Sequence, residues 1–216
     1  MFVRDVMTSN VITIPSNTLM VEAGRVMEFH RIERLPVVDR GKLVGFVTKD
    51  TLQRAGPSEA TSLSRWELSY ILGKMTVKEI MKTNVVTTTP NTTVECAIAT
   101  AQSNRVGSLP VLEDNRVVGI LTTNDFFYKI LNPLMGIGEE GTRIIVYRAG
   151  ETAQIQKVME CINRNGVGIK AVCTVAPPEA EENDLLIHLD TENAGQVIME
   201  LKKLGFSVDT REYKPC

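Results

Sequence analysis

Four polar residues close an apolar run in Gly119-Ile120-Leu121-Thr122-Thr123-Asn124-Asp125. A buried strand that ends this abruptly in hydroxyls, an amide and a carboxylate makes a polar mouth, and a small hydroxylated ligand fits such a mouth. Backbone amides at the start of the next helix, with the Thr122 hydroxyl beside them, suit a phosphate. Asp125 suits the two hydroxyls of a ribose, the role acidic residues play in dinucleotide folds. The same residues also spell a helix cap, with Thr122 or Asn124 accepting from the first turn and Asp125 favouring the helix dipole. The local residues leave both readings open.

Other candidate chemistry falls away on context. Gly136-Ile137-Gly138-Glu139-Glu140-Gly141 matches the dinucleotide fingerprint by letter. It follows a helix and precedes a strand, the reverse of what the fingerprint needs, and its glutamates would meet the pyrophosphate's charge. It reads as a flexible linker. His30 and His188 lack a carboxylate or cysteine at ligand spacing; His30 reads as a helix-surface residue and His188 as the solvent face of a strand. There is no nucleophile elbow, P-loop or paired metal motif, which lowers the odds of an enzyme without excluding one. Cys96, Cys161, Cys173 and Cys216 are scattered and read as reduced thiols of a cytoplasmic protein.

The composition agrees. Hydrophobic residues at 43% and charged residues at 23% are ordinary for a globular chain of 216 residues. A formal charge of -2 argues against a nucleic-acid partner. No apolar run is long enough to span a membrane, and Met1-Phe2-Val3-Arg4-Asp5 lacks a signal peptide's apolar core.

The polar mouth has an earlier echo, Gly45-Phe46-Val47-Thr48-Lys49-Asp50-Thr51. An offset of 74 residues carries Val3 onto Val77, Asn10 onto Asn84, Leu35-Pro36-Val37 onto Leu109-Pro110-Val111 and Gly45 onto Gly119 without a gap. A register held that long identifies an internal repeat. Each unit predicts a short helical turn (Val3–Met7, Val77–Met81), a brief strand and a longer helix. In the first unit that helix starts at Ser16 or Asn17 and places Leu19, Ala23, Met27 and His30 on one face. Two strands follow, Leu35–Asp39 and Leu43–Thr48 in the first unit, joined by a tight turn at Arg40-Gly41 or Asp114-Asn115. A closing helix starts at Asp50 or Asn124. Thr76 and Glu79 have capping-box spacing, and Ser62–Lys74 reads as a connecting helix.

Asn132-Pro133 reads as a stop, and the glycine-rich stretch to Gly141 as a domain boundary. Beyond it the plan changes. Arg143–Tyr147 is a strand, Gln154–Asn165 an amphipathic helix, and Val167 to Val175 a half-buried alternating strand. Pro177–Asp184 is an acidic loop and Leu185–Leu189 the return strand. A second helix carries Ala194, Val197, Ile198 and Leu201, and Phe206–Thr210 closes the chain. This strand-helix-strand-strand-helix-strand order is ferredoxin-like, with both helices on one face of an antiparallel sheet and the other face or an edge free for a partner.

The motifs Val-x-x-Ile-Met, Leu-Pro-Val and Gly-Ile-Leu-Thr-x-x-Asp resemble the CBS domain, named after cystathionine β-synthase. The two units are similar to a tandem CBS pair, or Bateman module. The last part, on its element order with Gly150 and Asn165-Gly166-Val167-Gly168-Ile169, resembles the amino-acid-sensing ACT domains. The combination resembles the acetoin-utilisation AcuB family. The implied fold class is α+β: a pseudo-symmetric Bateman module followed by a ferredoxin-like, ACT-like domain. The boundaries are residues 1–74 (first repeat with connecting helix), 75–132 (second repeat), 133–141 (linker) and 142–216.

That resemblance implies a non-catalytic cytoplasmic regulator, binding AMP, ADP, ATP or S-adenosylmethionine between the repeats, with no catalytic cofactor and no metal. Its expected partners are a second copy of the chain and a regulated enzyme. The main site it implies is built from Ser9, Ile32, Glu33, Thr122, Asn124 and Asp125. A second, weaker site uses Thr48, Asp50, Thr83 and Val106. It is weaker because Thr51 stands where Asp125 stands in the other repeat, and a neutral hydroxyl holds a ribose less well than a carboxylate. Arg148, Ala149 and Gly150 form the loop where an ACT-like domain binds a ligand or its twin, although the usual Asp and Pro before that glycine are missing. The alternatives are a nucleotide-processing enzyme at the same cleft and a structural dimerisation adaptor with degenerate pockets.

Overall fold

Residues 1–55, 73–176 and 182–211 are described by a computed structural model. The expected connecting helix Ser62–Lys74 falls almost wholly outside these residues, as does most of the Pro177–Asp184 loop. The chain divides into two compact units, Met1–Asp125 and Phe126–Cys216.

In the first unit, α1 (Val3–Val6) leads to α2 (Met20–His30), β1 (Arg34–Asp39), β2 (Lys42–Thr48) and α3 (Lys49–Arg54). The second repeat follows suit. A 3-10 turn at Val77–Glu79 leads to α4 (Val94–Ser103), β3 (Ser108–Glu113), β4 (Arg116–Thr122) and α5 (Thr123–Phe126). β1 pairs antiparallel with β2, and β3 with β4. The hairpin turns hold Arg40 and Gly41 at φ 51° and 77°, and Asp114 and Asn115 at 48° and 61°. Two left-handed residues in a row match the right-handed twist of the strands they join. Ile14 adds a parallel bridge to Val37, and Thr88 the same bridge to Val111.

Neither repeat completes its own sheet. Thr8 bonds through its backbone N–H and C=O to Ile120 of the other repeat, at 2.9 and 3.0 Å, and Lys82 does the same to Phe46, both bonds at 2.9 Å. Met7 rests on Gly119 and Met81 on Gly45; a Cβ on either glycine would lie 2.3 Å from the methionine sulfur. The exchange satisfies strand-edge amides that a lone repeat would leave unpaired. Leu35, Val37, Val47 and Val77 form a fully buried cluster that draws on both repeats.

The start of the long helix differs from expectation. α2 begins at Met20 with Leu19 as N-cap and no side-chain cap. The Ser16 amide instead donates to Asp39 Oδ1 at 2.9 Å, and hydrogen bonding from Ser16 holds the Asp39 carboxyl below its ordinary pKa. Met20, Ala23 and Met27 are buried while Leu19 and His30 are exposed, so the buried stripe is narrower than the one expected. In the second repeat Thr93 does cap α4, accepting from the Cys96 amide.

Within the second unit, the helix does not stop at Asn132-Pro133. A π-helical stretch at Phe127–Leu131 precedes α6 (Asn132–Met135), which ends at Gly136 with φ 63°. The proline falls in the first turn of α6, where its missing N–H removes no helix bond. β5 (Thr142–Val146), α7 (Thr152–Arg164), β6 (Ile169–Val175), β7 (Asp184–Leu189), α8 (Gly195–Lys203) and β8 (Val208–Arg211) complete the unit. The sheet is antiparallel throughout, in the order β6-β7-β5-β8. Its core joins Ile144, Val146, Ile187 and Leu189 of the strands to Val158, Cys161 and Ile162 of α7 and Val197 and Leu201 of α8.

Two expectations for this unit change. β6 is the edge of the sheet, and Ile169, Val172 and Val175 are exposed. The expected alternation holds at Ala171 and Cys173, half-buried between exposed neighbours, and fails at Val175 and at Ile169, where a register shift separates Ile169 from Ala171. His188 is buried, not solvent-facing, at 3% exposure. The glycine-rich segment packs over its imidazole. A Cβ at Gly136 would lie 1.9 Å from Nδ1, and one at Gly141 would lie 2.8 Å from Nε2. The Glu140 carbonyl lies 3.1 Å from Nε2 and accepts from Lys170 Nζ at 2.7 Å. The glycines of this segment therefore make room for a histidine on the sheet's outer face.

Candidate functional site

At the C-terminal end of β4, Asp125 is 7% exposed. Its Oδ2 accepts from the Thr122 amide at 2.9 Å and the Thr122 hydroxyl at 2.6 Å. The Asp125 amide donates back to Thr122 Oγ1 at 3.3 Å, which closes a reciprocal capping box at the start of α5. The helix-cap reading is therefore real, with Thr122 and not Asn124 as the cap. The carboxylate does more than cap, because its Oδ1 accepts from Thr8 Oγ1 at 3.0 Å. Thr8 belongs to the first repeat, so Asp125 ties the two repeats together at the mouth. Ser9 follows Thr8 there and is exposed, as is Asn124.

The other strand end is simpler. Thr48 caps α3 and accepts from the Thr51 amide at 3.1 Å, and the two hydroxyls lie 2.9 Å apart. Thr51 thus occupies the place of Asp125 without its charge. Asp50 turns outward to Arg54 at 2.9 Å, an exposed i,i+4 ion pair. Thr83 follows Lys82, whose backbone pairs with Phe46, so it lies at this strand end and is exposed.

The structure divides the expected residues differently at two positions. The Glu33 carbonyl accepts from the Lys49 amide at 2.9 Å, which places Ile32 and Glu33 at the Thr48 end. Val106 precedes Gly107, whose carbonyl accepts from the Thr123 amide at 3.2 Å and the Thr123 hydroxyl at 3.0 Å. Val106 therefore belongs at the Asp125 end. Ile32 and Glu33 exchange places with Val106 because each repeat's second hairpin strand closes against the entry to its own first hairpin strand. A cavity of about 660 Å³ lies on the helix side of the Glu33–Lys49 junction, with Gly24, Met27, Ile32 and Leu52 in its walls. Neither Thr48 nor Asp50 lines it.

Arg34 was not among the expected residues. Its guanidinium lies beside Gly107, with Nη2 3.1 Å and Thr123 Oγ1 3.5 Å from where a Gly107 Cβ would stand. Arg34 is half-buried, and no hydrogen bond or ion pair joins its side chain to a described residue. The signal for it was present: within otherwise matching Leu-Pro-Val motifs, Arg34 in one repeat is answered by Ser108 in the other.

In the second unit, the Arg148 amide donates to Asp184 Oδ1 at 2.9 Å with Arg148 at φ 52°. Ala149 is buried, and the Gly150 amide donates to the Asn183 carbonyl at 2.9 Å. A Cβ at Gly150 would meet Asn183 Cβ at 2.4 Å. The amides of residues 148 and 150 are thus used within the chain. The Cys161 thiol is held above its ordinary pKa by burial, with Glu200 adding to the effect, so it is a poor nucleophile. Glu200 is held below its ordinary value by the Asn165 amide, 2.8 Å away. Among the described residues no group of His, Cys, Asp and Glu could hold a metal ion, and no helix is long and apolar enough to cross a membrane.

A model of the CBS domain matches residues 3–58 and 77–132, the two repeats. An L-aspartate semialdehyde sulfurtransferase of Methanocaldococcus jannaschii is 32% identical over 127 residues, 57% of this chain. The chain spans only 22% of that relative's length. Among solved structures, an acetoin-utilisation protein (AcuB) of Vibrio cholerae is 28% identical with a TM-score of 0.52, covering 61% of this chain and 91% of that one. CBSX2, solved in complex with AMP, shares the fold at 24% identity and a TM-score of 0.51, covering 61% of this chain and 96% of that one.

Proposed function

The chain belongs to the CBS-domain family, and from that premise we propose that it is a non-catalytic sensor that binds an adenosine compound between its two repeats. The observation that carries the reading is the Asp125 carboxylate, placed at the end of a buried strand and bonded to hydroxyls from both repeats. Ser9, Asn124 and Val106 surround the same mouth, where a ribose and an adenine would find a carboxylate and apolar side chains. A ligand there touches both repeats at once. It therefore favours the arrangement in which the Thr8 and Asp125 sides are closed, and a difference in affinity between open and closed arrangements is what a sensor needs. The second mouth, with Thr48, Thr51, Thr83, Ile32 and Glu33, binds more weakly because it lacks the carboxylate.

The second unit carries the signal outward as an ACT-like module. Its β-α-β-β-α-β order supports that assignment. The in-chain use of the Arg148 and Gly150 amides favours self-association over amino-acid binding at this loop. Among the described residues β6 has no strand on its outer side, and with Ile169, Val172 and Val175 exposed it suits edge-to-edge pairing with a second copy. The free thiols of Cys96, Cys161 and Cys173 suit a reducing cytoplasm, where the dimer would act on a regulated enzyme, acetoin metabolism being the setting that the AcuB likeness suggests.

Titration calorimetry with AMP, ADP, ATP and S-adenosylmethionine tests the reading. At least one of them binds the wild-type chain, at two unequal sites, and Asp125→Ala abolishes the tighter one. Equal affinity in the two proteins defeats the assignment of that site. Turnover of ATP with a divalent metal would instead make the chain an enzyme.

A further inference from the structure

Asp125 is crowded for a residue that is to hold a ligand. It is 7% exposed, and hydrogen bonds already reach both oxygens of its carboxylate. Oδ2 accepts from the amide and the hydroxyl of Thr122, and Oδ1 accepts from the Thr8 hydroxyl. An oxygen of an ionised carboxylate accepts about two hydrogen bonds, so Oδ2 is full and Oδ1 has room for about one more. A ribose has two hydroxyls to donate, and both are accepted only if a present donor leaves. The Thr122 bonds are local and reciprocal: the Asp125 amide bonds Thr122 Oγ1 in return, and breaking them opens the cap of α5. The Thr8 bond is single and comes from 117 residues away. Thr8 can release it and still keep both backbone bonds to Ile120. The other mouth is built without this pair, since Lys82 corresponds there to Thr8 and Thr51 to Asp125.

We infer that Thr8 is a built-in competitor for the Asp125 carboxylate: in the ligand-free chain its hydroxyl holds the place of a ribose hydroxyl, and an adenosine compound binds by displacing it. This rests on the nucleotide reading above and adds to it how the site is regulated. Without ligand, Thr8 joins the first repeat to Asp125 directly. With ligand, the ribose takes over that bond and the two sides are joined through it. The exchange lowers affinity, because each binding event must offset the loss of a charge-assisted bond. It also gives the ligand a physical effect on the opening segment. Thr8 directly follows Met7, which rests on Gly119 of the other repeat, so the release of its hydroxyl loosens a segment that spans both repeats. A contact made in one state and broken in the other is what lets a ligand distinguish them.

Calorimetry with AMP and with 2′,3′-dideoxy-AMP, which lacks the ribose hydroxyls, tests this on the full wild-type chain, Thr8→Val and Thr8→Ser. AMP binds the tighter site of Thr8→Val about 10-fold better than that of the wild type, the size of a hydrogen bond to a charged group. Dideoxy-AMP leaves Oδ1 to Thr8, so its affinity is the same in the two proteins, and Thr8→Ser, which keeps the hydroxyl, behaves as the wild type. In the wild type alone, AMP exceeds dideoxy-AMP by no more than about 10-fold, because one of the bonds gained is offset by the Thr8 bond lost. A larger margin there overturns the inference without any variant. An AMP affinity that Thr8→Val leaves unchanged or weakens overturns it too, and the nucleotide reading stands. A gain shared equally by dideoxy-AMP or by Thr8→Ser also overturns it, because the mouth has then loosened and no competitor has been removed. A wild type that binds no AMP overturns it as well, and the nucleotide reading falls with it only if ADP, ATP and S-adenosylmethionine also fail to bind.

Discussion

Replacing Asp125 with alanine removes an acceptor of three hydrogen bonds among the described residues, and the cost of those bonds can be worked out one by one. The capping box at α5 loses its acid, and the half-buried Thr122 amide loses the partner it has at 2.9 Å. A lost cap of this kind costs about 1 kcal/mol. The bond from Thr8 at 3.0 Å is charge-assisted, shielded at 7% exposure and joins the two repeats, so about 1.5 kcal/mol goes with it. The total is about 2–3 kcal/mol without any ligand. Thr51→Ala is the matched control at the other strand end. It loses one neutral hydroxyl pair and keeps the bond from its own amide to Thr48, which together cost about 0.5–1 kcal/mol. Urea unfolding of the ligand-free chain, followed by circular dichroism, should show Asp125→Ala shifted by about 1 M more than Thr51→Ala, for a slope of about 1.5–2 kcal/mol/M. Equal shifts would refute the reasoning, because Asp125 would then be an ordinary surface cap whose bond to Thr8 contributes nothing. The same pair of variants bears on function. On the proposed assignment Asp125 both clamps the repeats and contacts the adenosine compound, which would link stability to occupancy, so the ligand should stabilise the wild type more than it stabilises Asp125→Ala.

Two further predictions concern the repeat crossover and its turn. Gly119→Ala pushes a Cβ to within 2.3 Å of the Met7 sulfur and should destabilise the first unit by about 1–3 kcal/mol. Much of that loss should return in the Gly119→Ala/Met7→Ala double variant, and strictly additive losses in chemical denaturation would show that the two residues do not meet. Glu79 is held below its ordinary pKa by bonds from the Thr76 amide and hydroxyl. Its folded-state pKa lies under its unfolded one, so its contribution is fully present above the unfolded value and is lost as pH falls through the folded value. The stability gap between the wild type and Glu79→Gln should therefore close on acidification, and a gap constant across the acid range would rule this out.

Some features were legible because they are local. Thr76 and Glu79 have the spacing of a capping box, and Glu79 accepts from the Thr76 amide as that spacing predicts, while its own amide donates to the Thr76 carbonyl. Asp114-Asn115 has the residue types that tolerate left-handed backbone, and the turn takes that form. The features that were not legible depend on residues brought together from a distance. Nothing in the neighbourhood of His188 says that Gly136 and Gly141 will close over its ring, because the contact spans some fifty residues. The exposure of Ile169 and Val175, which alternation assigns to the buried face, depends on β6 lying at an edge of its sheet, which alternation cannot reveal. The stop expected at Asn132-Pro133 failed because a π-helical stretch ahead of it moved the proline into a first turn, where it is tolerated.

The exchange of Ile32 and Glu33 with Val106 shows where a repeat pattern stops being informative. The 74-residue offset establishes that Val106 is to the second repeat what Ile32 is to the first. It does not say whether a mouth is built within one repeat or across two, and a mouth needs both kinds of contact. The entry to each first hairpin strand meets its own repeat's closing helix, as Glu33 meets Lys49 and Gly107 meets Thr123. The opening segments do the opposite, Thr8 lying on Ile120 and Lys82 on Phe46. Arg34 falls between these rules: its backbone pairs with Thr48 of its own repeat, while its side chain reaches Gly107 of the other. A residue that belongs to one strand end by its backbone and to the other by its charge cannot be assigned from the offset.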